Sequence, residues 1–107
     1  MAARRRPRRK QSKMANPDHL KTLKQGVDAW NAWRAKEPLV RPEISGADLI
    51  AADLRRANLS GADLLAVDLS RADLSGANLE RTSLFDARLI EANLRSANLN
   101  SWNKDPV

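Results

Sequence analysis

The chain has 107 residues with 42% hydrophobic and 4% aromatic content, enough for one small domain. Cysteine is absent, which excludes disulfides and a thiolate nucleophile and suits a reducing cytosol, and no apolar run is long enough to span a membrane. The formal net charge of +6 is unevenly placed. Residues 1–13 hold seven bases and no acid, residues 14–41 five bases against three acids, and residues 42–107 seven bases against ten acids.

Residues 1–15 are basic, interrupted by Pro7 and without apolar periodicity, so a disordered tail is expected. Arg4, Arg5, Arg6, Arg8 and Arg9 are its candidate nucleic-acid contacts, because each guanidinium can displace a phosphate counterion. A plain solvated tail is the expectation set against this, since no aromatic is interleaved to stack on bases. Met14 opens a segment that reads as a natural start for the helix that follows. The absence of a secretory h-region predicts a cytoplasmic protein.

Residues 16–37 predict one amphipathic capping helix. Asn16 is its N-cap and Pro17 its first residue, where the missing N–H costs nothing. Leu20, Leu23, Val27 and Trp30 fall on one stripe, with Trp33 at its edge. Pro38 and Pro42 stop the helix, leaving residues 38–41 as a linker.

From residue 42 to 101 a five-residue period runs without a slip, giving 60 residues or 12 pentapeptides. Its central position is Leu in every unit except the first, which has Ile44. Two residues earlier sits Ala in nine units, with Pro42, Val67 and Thr82 as exceptions. On an α-helix five residues turn about 500°, which would scatter the leucines. On a continuous strand an odd period would alternate their face. A chain that turns a corner every five residues puts the small residue and the leucine inward together, with Asp or Asn pointing out between them. Pairs such as Ser60-Gly61 and Ser75-Gly76 supply corners.

The runs SGADL, RANLSGADL, SRADLSGANL and RSANL resemble the pentapeptide-repeat family, whose consensus is A-(D/N)-L-x-x. The resemblance implies an all-β solenoid, a right-handed quadrilateral β-helix with four pentapeptides per coil and hence about three coils here. Its ends need covers. The N-terminal helix serves one end, and Trp102, in the segment 102–107, is the expected C-terminal cap.

Residues twenty apart then stack in columns. Asn58, Asn78 and Asn98 predict a side-chain amide ladder. Ile50, Leu65, Phe85 and Ile90 are large apolar residues at outward positions, and form the candidate partner-binding patch unless the helix folds back over them. No Ser-His-Asp or Cys-His set, P-loop or zinc spacing occurs, and His19 is the only histidine. The expectation is a non-enzymatic module for protein–protein interaction, without cofactor or metal, monomeric or homodimeric, and off the membrane. The family also contains DNA mimics that act on type II topoisomerases. A stack of three coils with a weakly acidic repeat region fits that alternative poorly, and nucleic-acid binding through the tail is the third reading.

Overall fold

A computed structural model describes residues 14–100. The Trp102 cap and the tail arginines Arg4, Arg5, Arg6, Arg8 and Arg9 lie outside the described residues.

The N-terminal segment forms two helices where the periodicity predicts one. Helix α1 spans Pro17–Lys24 and α2 spans Val27–Lys36. Asn16 caps α1 as expected, its Oδ1 accepting from the N–H groups of Asp18 (2.9 Å) and His19 (3.3 Å). The break is at Gln25-Gly26. The N–H groups of Gln25 and Gly26 turn back to the Thr22 and Leu23 carbonyls, both at 3.1 Å. Gly26 then takes φ +118°, which side chains rarely adopt. The bend lets both halves of the apolar stripe reach the repeats. Leu23 and Trp30 are buried, while Leu20, Val27 and Trp33 are partly buried against the same core. Trp33 also packs between His19 and Trp30, with ring centroids 4.8 and 5.1 Å away and the rings tilted by 45° and 49°.

The repeats coil with a period of twenty residues. Parallel bridges join Glu43 to Asp63 and Ser83 (side 1), Asp48 to Asp68 and Arg88 (side 2), Asp53 to Asp73 and Asn93 (side 3), and Asn58 to Asn78 and Asn98 (side 4). Each side carries a single bridged residue, so no extended strand occurs among the described residues. The physical reason is length: five residues per side leave only one between the inward pair once the corner is made.

Every corner described is a β-turn of one kind. The N–H of each small inward residue donates to the preceding leucine carbonyl, as from Ala52 to Leu49 at 3.1 Å and from Ala77 to Leu74 at 3.0 Å. The second residue after each leucine has positive φ, from Gly46 at 73° to Ser96 at 60°. That is type II geometry, which favours glycine. Only Gly46, Gly61 and Gly76 satisfy the preference, and eight other residues hold φ between 57° and 62°. The Asp or Asn of each side supports its corner, its Oδ1 accepting from the N–H two residues on. Examples are Asp48 with Ile50 (3.1 Å) and Asp68 with Ser70 (3.0 Å).

This local use corrects the amide ladder expected for the asparagine column. Asn58, Asn78 and Asn98 each accept from their own corner, at Ser60, Glu80 and Asn100, instead of bonding to one another. The inward assignment holds. Ile44, Leu64, Leu69 and Leu74 are fully buried, as are Ala57 and Ala62. Burial fades in the last coil, where Leu84 is still buried, Leu89 and Leu94 are half-buried and Leu99 is 36% exposed.

Candidate interaction surface

A coil has two edges, and its backbone groups alternate between them. In the lower coils the N–H of the bridged residue reaches up, as from Asn78 to the Ala57 carbonyl (2.9 Å). Its carbonyl accepts from above, as Asn78 does from Leu59 (2.8 Å), and so does the carbonyl two residues on, as Glu80 does from Gly61 (2.8 Å). The first coil has no coil above it, so these groups need other partners or water.

On side 4, α2 supplies them. Asn31 Oδ1 accepts from the Asn58 N–H at 2.8 Å, and its Nδ2 donates to the Arg56 carbonyl at 3.1 Å. The Asn58 carbonyl accepts from Trp30 Nε1 at 2.7 Å and from Arg34 Nη1 at 3.0 Å. Arg34 Nη2 donates to the Ser60 carbonyl at 3.0 Å. Arg34 is buried, which pushes its pKa down, and it spends its fork on carbonyls with no carboxylate paired to it among the described residues. On side 1, the Asn16 N–H donates to the Glu43 carbonyl (2.8 Å), and the Glu43 N–H donates to His19 Nδ1 (3.1 Å). Trp30 was expected here for its apolar bulk alone. Asn31, Arg34 and His19 were not singled out, because a lone polar residue on a helix leaves no periodic trace. The one available signal was their spacing: His19, Asn31 and Arg34 each lie four residues from a member of the apolar stripe (Leu23, Val27 and Trp30).

The four apolar patch residues do not form one surface. Leu65 and Phe85 are neighbours in one column and half-buried. Ile50 and Ile90 are 41% and 59% exposed in the next column, but buried Ser70 stands between them. Ile50 instead lines a groove of about 470 Å³ against the end of α1, with Leu23, Lys24 and Leu54. A second groove of about 640 Å³ continues around Gly26 to Asn31, Asp53 and Arg56.

The stacked carboxylates are met by arginine. Arg55 makes a bidentate pair with Asp53 (2.7 and 2.8 Å) and lies 4.0 Å from Asp73, and Arg88 lies 3.7 Å from Asp68. The Arg55 hydrogen bonds hold the Asp53 carboxyl down at about 2. Asp68 is also lowered, chiefly by hydrogen bonding from Ser70, and Asp73 chiefly by the Ser75 N–H. Among the described residues no cluster of three His, Asp or Glu side chains could hold a metal, and no helix is long and apolar enough to cross a membrane.

No curated protein matches the chain. The family description for pentapeptide repeats matches in eight copies, over residues 43–80 and 64–100. That span is more than half of the chain and contains every bridge and corner described above, so the chain belongs to the pentapeptide-repeat family.

Proposed function

We propose that this protein is a non-enzymatic interaction module whose repeats form a right-handed quadrilateral β-helix and whose partner is another protein. The observation that carries this reading is how the repeat side chains are used. The inward positions of the upper two coils are filled by apolar side chains, nearly all of them buried. The outward carboxylates of Asp48, Asp53, Asp68 and Asp73 each accept the N–H of their own corner, a supporting use within the coil. What the fold offers is exposed surface, with Ile50 and Ile90 as large apolar residues at outward positions of the coils.

A cysteine-free chain suits a cytoplasmic setting. The DNA-mimic alternative needs a strongly acidic face, and Arg55 and Arg88 neutralise the acidic columns here. The test is affinity capture with the full chain beside an Ile50→Asp/Ile90→Asp variant whose circular dichroism is unchanged. A protein retained by the native chain and lost by the variant supports the module. Equal retention by both places the interaction elsewhere, and turnover of a small molecule would overturn the reading.

A further inference from the structure

The helical cap is incomplete, and the omission falls mainly on two adjacent sides; on side 1 only the Ser45 carbonyl, whose counterpart Leu65 accepts from Gly46 at 2.8 Å, lacks a partner among the described residues. On sides 1 and 4 the upward-facing groups of Glu43, Asn58 and Ser60 are met by Asn16, His19, Trp30, Asn31 and Arg34. On sides 2 and 3 the equivalent groups are the N–H and carbonyl of Asp48 and Asp53 and the carbonyls of Ile50 and Arg55. None of these has a hydrogen-bond partner among the described residues. One coil lower every equivalent group is paired: the Asp68 N–H to the Ala47 carbonyl at 3.0 Å, and the Asp68, Ser70, Asp73 and Ser75 carbonyls from Leu49, Ala51, Leu54 and Arg56 at 2.8–2.9 Å. The open edge also uncovers the core. Ala52 is half-buried, whereas its counterpart Ala72 is 1% exposed. The two grooves around Gly26 lie along this same edge, and Asp53 lines both.

We propose that sides 2 and 3 of the first coil bind a segment of a partner protein that turns one corner, adding to the edge as two sides of a missing coil. This names the site and partner chemistry of the interaction module proposed above, and rests on that reading. Recognition of this kind takes affinity from main-chain hydrogen bonds and specificity from alternate side chains. The donors and acceptors repeat those of the coil below, so the register is defined. The segment runs parallel, donates to the Asp48, Ile50, Asp53 and Arg55 carbonyls, and accepts from the Asp48 and Asp53 N–H groups. A small apolar residue falls over Ala52, and leucine-sized residues fall over Leu49 and Leu54.

A short two-sided segment is the occupant that fits. A second copy of this chain presents a whole coil, which α1 and α2, bonded to sides 1 and 4, exclude from the same end. Bending at Gly26 is what holds the helices off sides 2 and 3. A continuous helix would place the Asn31 and Arg34 side chains elsewhere and lose the side 4 contacts.

The test uses the isotope-labelled full chain and a synthetic peptide copying residues 67–76, which lie under 47–56 in the native stack. Hydrogen exchange of individual amides is followed by NMR as peptide is added to millimolar concentration. The expected result is a roughly tenfold slowing at Asp48 and Asp53, with Glu43 and Asn58 unchanged. A peptide N-methylated at the positions of Leu69 and Leu74 should lose the effect. The proposal is overturned by no protection at Asp48 and Asp53, by protection only at the lower edge of the last coil, or by equal action of the methylated peptide. Protection that appears only after deletion of residues 1–13 would make the chain's own tail the occupant and overturn it as well. Because the peptide reports the edge directly, the edge can fail while the Ile50/Ile90 capture still succeeds, and the reverse.

Discussion

Asn31 does for Asn58 what Ala57 does for Asn78. The Asn31 side-chain oxygen accepts the Asn58 N–H at 2.8 Å, and one coil lower the Ala57 carbonyl accepts the Asn78 N–H at 2.9 Å. A helix side chain has replaced the backbone of an absent coil. Stacked repeats need such a terminator, because only interior coils have neighbours on both sides.

Asn31→Ala removes two hydrogen bonds and leaves the partly buried Asn58 N–H without its acceptor. A loss of about 1–3 kcal/mol is expected in urea unfolding. A change within error would mean that water replaces the amide freely.

Arg34→Ala leaves the Ser60 carbonyl without its donor and takes one of two donors from Asn58, with an expected cost of roughly 2–3 kcal/mol. Arg34→Lys should recover only part of it, since an ammonium lacks the planar fork that spans two carbonyls. Full rescue by lysine, read from the same unfolding curves, would show that charge alone matters.

Core cost should fall along the stack. Leu74 is fully buried in the second coil, so Leu74→Ala should cost about 2–5 kcal/mol, and Leu74→Asp should abolish the folded circular-dichroism signal. Leu99 is 36% exposed, and Leu99→Ala should cost on the order of 1 kcal/mol or less. Equal costs would mean that the last coil is as well packed as the second.

Gly61 has φ +69° and open space where a Cβ would sit, so a substitution there is opposed by the backbone alone. Gly61→Val should cost about 1–2 kcal/mol, and Gly61→Asn clearly less, because asparagine tolerates the left-handed region. Thermal unfolding of the pair measures the difference. Identical midpoints would remove the conformational explanation.

Asp53 titrates at about 2 in the folded chain, against an ordinary value of ~3.9. A depressed folded value means that its contribution is present above pH ~4 and is lost as pH falls toward 2. Both partners are exposed, so the readout is the carboxyl itself: a carbon-detected NMR titration should place its midpoint near 2, and Arg55→Gln should return it toward the ordinary range. Asp68 and Asp73, lowered through Ser70 and Ser75, should titrate low in both forms. An unchanged Asp53 midpoint in Arg55→Gln would assign the shift to the corner N–H instead.

The five-residue period was enough, by itself, to determine that leucine and alanine face inward and that the chain turns after each pair, whereas the stacking of residues twenty apart was implied by the family resemblance, with its four pentapeptides per coil. The first two are consequences of spacing within a few residues, and the burial of Leu64, Ala72 and Leu74 follows from them. The sequence also marked Asn16 and Pro17 as a helix start, because capping is local. Tertiary structure decided the rest. A continuous apolar stripe hid the break at Gly26, since Leu23 and Trp30 both meet one core only after the chain bends. Asn31, Arg34 and His19 became caps because open backbone groups 24 to 27 residues away came within reach, and those groups are open only at the end of a stack. The candidate patch divided because Ile50 and Ile90 share a column with a buried serine between them, whereas Ile50 meets α1 across the groove. Repeating local geometry is written in the spacing of residues, while the fate of an unpaired edge depends on what the folded chain brings to it.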